Sequence, residues 1–146
     1  MRYMILAAAL ALAGSAEAAM HHATGTFEVA MTVAAGEPAW LNRMTMTKTY
    51  AGALVAVAAG EFLSAGDPTT GSAGYIAAER IEGTLDGRAG TFVVMQSATM
   101  DKGAPVMRVF VVPGSATGAL AGMTGTMTIR IENRQHFYDL DYDFAP

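Results

Sequence analysis

Three polar side chains that could bind a ligand or transfer a proton stand between apolar residues at a spacing of two. Lys48 lies between Met46 and Tyr50, Glu79 between Ala77 and Ile81, and Gln96 between Val94 and Ala98. Because a lone buried carboxylate is costly, we expect Glu79 either to pair with a cation or to be protonated, and Lys48 is the candidate partner. Glu79 would then be a candidate general acid or base, with Lys48 or a tyrosine hydroxyl as its electrophilic partner.

Two other interpretations of the same residues stay open. The pair could be a buried ion pair or hydrogen-bond network that fixes strand register and does no chemistry. A shift of one residue in the pairing would instead turn Glu79 outward and Arg80 inward.

Three tyrosines share these apolar faces and complete the candidate ligand-binding set. His136 begins the face that carries Tyr138. If all of these faces point into one interior, that interior holds Lys48, Tyr50, Tyr75, Glu79, Gln96 and Tyr138.

Candidate metal ligands are sparse, and we predict neither a metal nor any other cofactor. His21 and His22 would lie at the N-terminus of a processed chain, where a free amine, two amide nitrogens and an imidazole can hold Cu(II) or Ni(II). A terminal histidine arises easily by chance, so this site is not favoured. A methionine site for Cu(I) is not favoured either, because Met44 with Met46, and Met20 alone, are too few.

The elements that must position these residues are strands. Apolar and polar residues alternate with period two, glycines punctuate the pattern, and signals for helices are weak. Eight such runs cover residues 26–33, 43–50, 53–63, 73–82, 91–100, 105–112, 126–132 and 136–144. Sequential strands with short links predict an all-β fold, a closed eight-stranded antiparallel up-and-down barrel, because closure removes exposed edges. A two-sheet sandwich is the alternative.

The N-terminal segment has the pattern of a secretory signal peptide. Arg2 precedes an apolar run over residues 5–13, and residues 15–18 (SAEA) form a small-x-small cleavage pattern. We predict a signal helix in residues 1–18, cleavage near Ala18 or Ala19, and one barrel domain over residues 19–146. An uncleaved anchor is the alternative, although the run is shorter than the roughly 20 residues that span a bilayer. The mature protein would be periplasmic or extracellular, with no stable membrane insertion.

Composition limits the function classes. The chain has 146 residues, of which 52% are hydrophobic, so it can bury a core and suits one domain. A net charge of −4 argues against a nucleic-acid partner, which selects for a basic face. The chain has no cysteine, which excludes disulfides and thiolate chemistry. Association into homo-oligomers stays open.

Five sequence blocks, in this order, resemble a bacterial family known as domain of unknown function 3224. They are ATGTFEV at residues 23–29, TKTYAG at 47–52, ERIEGTLDGRAGTFV at 79–93, VPGSATG at 112–118 and LDYDF at 140–144. The resemblance implies a closed eight-stranded barrel similar to that of allene oxide cyclase, and it implies no activity. Gln96 stands where many members carry a histidine, so a role that needs an imidazole there is in doubt.

From these features we expect an exported barrel that binds a small, largely apolar molecule in its lumen. An isomerase or cyclase that uses the same lumen without a cofactor is one alternative. An interaction protein whose barrel is filled by its own side chains is the other.

Overall fold

Eight antiparallel strands form the protein, which the computed structural model describes over residues 20–35 and 38–145. The strands are β1 (His21–Val33), β2 (Leu41–Gly52), β3 (Leu54–Asp67), β4 (Ser72–Leu85), β5 (Arg88–Asp101), β6 (Ala104–Val111), β7 (Met123–Glu132) and β8 (Gln135–Phe144). Two short 3-10 turns, Pro68–Thr70 and Gly118–Leu120, complete the regular structure. The predicted signal helix lies outside the described residues.

Each strand pairs with the next along the chain, and β8 pairs with β1, so the sheet closes into a barrel. The predicted up-and-down barrel is therefore confirmed, and the sandwich is wrong. Pairing is weakest between β6 and β7, which among the described residues share a single register pair, Phe110 with Thr126. No helix in the described part of the chain is long and apolar enough to cross a membrane.

The strand register turns the predicted polar residues inward. Lys48 pairs with Ala58, Gly60 with Glu79, and Ala77 with Gln96. Lys48 and Glu79 are 5% and 4% exposed. The alternative register, with Glu79 facing solvent, is therefore wrong, and Arg80 points outward, where its guanidinium contacts Glu82.

One end of the barrel is packed and the other is open. The packed end holds large side chains that are less than 2% exposed, among them Leu54, Leu85, Phe92, Leu120, Met123 and Tyr142. At the opposite end inward-facing side chains reach solvent, with Val33 75% and Ile131 62% exposed. We call this open end the mouth. The lumen therefore has an apolar floor and a mouth that admits solvent.

Trp40 and Arg108 lie on the outside of the barrel. Trp40 is 69% exposed in the turn before β2 and lines an outer groove together with Arg108 and Ile76. Trp40 therefore belongs to the outer surface.

Candidate functional site

A buried ion pair with a tyrosine lies in the middle of the lumen. The Lys48 ammonium donates to Oε1 of Glu79 at 3.0 Å, and the Tyr50 hydroxyl donates to the same oxygen at 2.7 Å. All three residues are at most 5% exposed. The expected pairing of Glu79 with Lys48 is thus present, and it is a charge-assisted contact between two buried side chains.

Small residues on the neighbouring strand make room for this group. Gly60 lies directly opposite Glu79, and a Cβ atom at Gly60 would fall 2.2 Å from the carbonyl oxygen of Ala78 and 2.8 Å from the Cα of Glu79. Ala58 lies opposite Lys48 in the same strand. The β3 backbone can therefore approach β4 closely at the level of the ion pair, which a larger residue at position 60 would prevent.

The second oxygen of the carboxylate, Oε2 of Glu79, is buried without a hydrogen-bond partner among the described residues. Both donors are directed to Oε1, so the charge of the carboxylate is stabilised from one side. Burial, followed by the charge of Glu79 and the hydrogen bond to it, raises the pKa of Tyr50 well above its usual value. Tyr50 is therefore a neutral hydrogen-bond donor throughout the physiological range.

A small cavity of about 110 Å³ is lined in part by Lys48. Its polar wall consists of Lys48, Tyr75, Gln96 and His136, and its apolar wall includes Met31, Met46, Met107 and Phe62. The Gln96 amide donates to the Tyr75 hydroxyl, and the same nitrogen lies 3.5 Å from the sulfur of Met107. The lining thus combines four polar side chains with a mainly apolar set.

A larger cavity of about 640 Å³ fills the mouth. Its walls are apolar and rich in thioethers, with Met31, Met44, Phe62, Met100, Pro105 and Met107 among them. Four residues line both cavities, namely Met31, Phe62, Tyr75 and Met107. The two spaces therefore adjoin, and the small cavity lies between the mouth and the ion pair.

Burial shapes the protonation of the two aromatic groups on the polar wall. It raises the pKa of Tyr75, against a smaller opposing effect of the hydrogen bond from Gln96. Burial also lowers the pKa of His136, and the positive charge of Lys48 lowers it further. At neutral pH the small cavity therefore presents a neutral phenol and a neutral imidazole beside the ammonium of Lys48.

The six predicted ligand-binding residues separate into three groups. Lys48, Tyr75 and Gln96 line the small cavity. Glu79 accepts hydrogen bonds from Lys48 and Tyr50, and neither Glu79 nor Tyr50 lines either cavity. Tyr138 is buried at the packed end, where its hydroxyl accepts from the backbone of Leu54 at 2.8 Å.

His21 and His22 lie at the start of β1, opposite Tyr142 and Asp141 of β8, and line neither of these two cavities. The ring of His21 stacks on Tyr142 with a centroid distance of 4.9 Å, and Nδ1 of His22 lies 2.6 Å from Oδ1 of Asp141. Within residues 20–35 and 38–145, no group of three or more histidine and acidic side chains is placed to hold a metal ion.

Sequence reasoning missed the methionines and Phe62 as cavity residues. The signal was present in the alternation of Met44 and Met46 on one strand and of Met31 on another. Alternation places each methionine on an inward face, but it does not reveal that residues of β1, β2 and β6 meet around one space.

Comparison with known proteins assigns no activity to this architecture. A family model described as "Protein of unknown function (DUF3224)" matches residues 15–142. The solved structure of a protein of unknown function from the same family, from Shewanella oneidensis MR-1, is similar to the chain with a TM-score of 0.83 and 41% identity. That match covers 88% of this chain and 99% of the other. No curated protein matches.

Proposed function

Since the chain belongs to the DUF3224 family of proteins of unknown function, we propose a function from the geometry of its lumen. The protein binds a small, largely apolar molecule that carries one polar group. The apolar part occupies the mouth cavity, and the polar group enters the small cavity, where it meets Lys48, Tyr75 and Gln96.

The observation that carries this proposal is the arrangement of the two adjoining cavities. A volume of about 640 Å³ lies within the range typical of sites for small molecules, and its walls are mainly apolar. A few polar groups converge at its inner end, which is the usual basis for orientation and specificity. An empty lumen of this size disfavours the alternative of a barrel filled by its own side chains.

The catalytic alternative receives less support from the geometry. A general acid or base must reach the atom that gives or takes the proton. The Glu79 carboxylate lines neither cavity, because the Lys48 ammonium and the Tyr50 hydroxyl lie against it. The ion pair instead fixes the position of Lys48, which can then donate one of its remaining N–H groups to a ligand.

A blocking variant with a matched control tests the proposal. Ala98 faces the lumen and lines the mouth cavity, whereas its neighbour Ser97 is exposed on the outer face of the same strand. We expect Ala98→Phe to fill the mouth and Ser97→Phe to leave it open. The readout is the fluorescence gain of 1-anilinonaphthalene-8-sulfonate, combined with native mass spectrometry of molecules that copurify.

The wild type and Ser97→Phe should bind the dye and carry the same copurified mass, and Ala98→Phe should lose both. Binding that survives Ala98→Phe and is lost with Ser97→Phe would place the site on the outer surface and refute the proposal. Equal binding by all three proteins would refute it as well.

We also propose that the chain is exported, on the strength of its N-terminal sequence pattern. The protein isolated from its own host should begin near Ala19 or Met20 and be found outside the cytoplasm. N-terminal sequencing of the protein from the periplasmic or external fraction checks this, and an intact Met1 in a cytoplasmic fraction would contradict it.

A further inference from the structure

We propose that the polar group of the ligand is a carboxylate, which the hydrogen-bond donors of the small cavity bind. This inference rests on the proposed function and names the chemical class of the molecule, an apolar acid in its ionised form. Its apolar part would lie in the mouth cavity and its carboxylate in the small cavity.

The charged side chain that lines the small cavity is a cation. Among the described residues of this lining, Lys48 is the one acidic or basic side chain that is charged at neutral pH. Glu79, which pairs with Lys48, does not line the cavity. A group that enters this space therefore meets Lys48 and not the carboxylate of Glu79, which favours an anion over a cation.

The Lys48 ammonium lies beside two residues of the lining. Its nitrogen is 4.7 Å from the centroid of the Phe27 ring, and the His136 ring is 4.9 Å from that same ring. Phe27 and His136 both line the small cavity. Burial lowers the pKa of His136, and the charge of Lys48 lowers it further, so the positive potential of the ammonium extends to this part of the lining. An anion would gain from the same potential that disfavours the imidazolium.

The polar groups of the lining have donors to spare. The Lys48 ammonium has three N–H groups, and Glu79 accepts one of them. The Tyr75 hydroxyl accepts from Gln96, which leaves its own proton for another acceptor. A carboxylate has only acceptor sites, about four on its two oxygens, and therefore suits such a set.

The negative charge of Glu79 weakens the attraction for a second carboxylate but does not cancel it. Because Glu79 does not line the cavity, a carboxylate that accepts from Lys48 there lies closer to the ammonium than to Glu79. Coulomb energies fall with distance, so the nearer charge has the larger effect. The Tyr50 hydroxyl also donates to Glu79, at 2.7 Å, and shares in stabilising it when Lys48 binds a second acceptor.

Displacement of an uncharged fluorescent probe tests the charge of the head group on the purified protein. The probe is N-phenyl-1-naphthylamine, which reports an apolar site whatever head group that site prefers. The competitors are decanoate, 1-decanol and decylammonium, which share one alkyl chain and differ in the head group. The site variant Lys48→Met/Glu79→Gln removes both buried charges, and the control Arg43→Met/Glu61→Gln removes an exposed pair whose atoms lie 3.0 Å apart.

We expect decanoate to bind the wild type and the control at least about tenfold more tightly than 1-decanol, with decylammonium the weakest. The site variant should bind 1-decanol as before and lose the preference for decanoate. Probe binding without that preference, or a preference that the site variant retains, would overturn this inference and leave the apolar site standing. Failure of the wild type to bind the probe would overturn the proposed function as well.

A second measurement needs no variant of the ion pair. With decanoate bound to the wild type, nuclear Overhauser effects should connect its C2 protons to the ring of His136, which lines the small cavity and not the mouth. Its terminal methyl group should contact the Met100 methyl group, which lines the mouth and not the small cavity. The reverse orientation would overturn the inference.

Discussion

The buried ion pair supports the sharpest prediction, which concerns Glu79→Gln. In the native protein the Lys48 nitrogen lies 3.0 Å from the Glu79 oxygen, and both side chains are 4% exposed. At that distance and an effective dielectric constant of about 20, the attraction is about 5.5 kcal/mol. The variant keeps the ammonium buried but removes its counter-charge. We therefore expect the free energy of unfolding to fall by about 3–5 kcal/mol, the usual cost of breaking a buried pair from one side.

The double variant Lys48→Met/Glu79→Gln isolates the electrostatic part of this loss. It removes both charges and retains side chains of similar volume, so no ion is left without a partner. We expect it to be more stable than Glu79→Gln alone, with a coupling energy of about 2–3 kcal/mol in the double-mutant cycle. This comparison stays informative even where one single variant is marginally stable.

The assay is urea denaturation followed by far-ultraviolet circular dichroism at pH 7, with Glu61→Gln as the matched control. Glu61 also lies 3.0 Å from a cation, the Arg43 guanidinium, but that pair is exposed. Because exposed pairs contribute little, the control should stay close to the wild type. Two results would refute the reasoning, namely a loss in Glu79→Gln no greater than that in Glu61→Gln, or a double variant as unstable as the sum of its singles.

Three further predictions concern other parts of the lumen. Burial lowers the pKa of His136 from 6.5, so the unfolded chain binds more protons than the folded chain, and the free energy of unfolding should fall as the pH drops below about 6.5. An NMR titration midpoint above 6.5 for the His136 ring would contradict this. Gly60→Ala should lower the free energy of unfolding, measured by thermal denaturation, by about 1–3 kcal/mol, because the new Cβ would lie 2.2 Å from a backbone oxygen. Gly74→Ala should be nearly neutral, because the nearest atom to its Cβ would be 3.5 Å away. Burial and the hydrogen bond to Asp86 raise the pKa of Tyr142 to about 12, so the free energy of unfolding should fall as the pH rises from about 10 to 12. Tyr142→Phe should remove this part of the fall, which urea denaturation at both pH values measures.

Alternation with period two was sufficient to predict the strands and their inward faces. The side chains of a strand alternate between two sides, so an apolar neighbour two residues away indicates which side a polar residue shares. Lys48, Glu79 and Gln96 all face the lumen as this rule requires. The pairing of Glu79 with Lys48 also followed from the sequence, because a buried carboxylate needs a cation.

The height of each residue along the barrel axis was decided by the tertiary structure alone. Tyr138 and Tyr75 both face inward, yet Tyr138 lies in the packed end and Tyr75 lines the small cavity. Alternation says which face a side chain occupies, but its height depends on the stagger of paired strands, which is set when the sheet closes. For the same reason the sequence did not reveal that Glu79 would lie behind Lys48.

The meeting of residues from distant strands was also beyond the sequence. Met31 and Met46 are fifteen positions apart, and Met107 comes from β6, yet all three line one cavity. In the sequence these methionines are indistinguishable from those that fill the packed end, such as Met123. The local pattern determines which face of the strand a methionine occupies, whereas closure of the barrel determines whether it packs against other side chains or borders an open space.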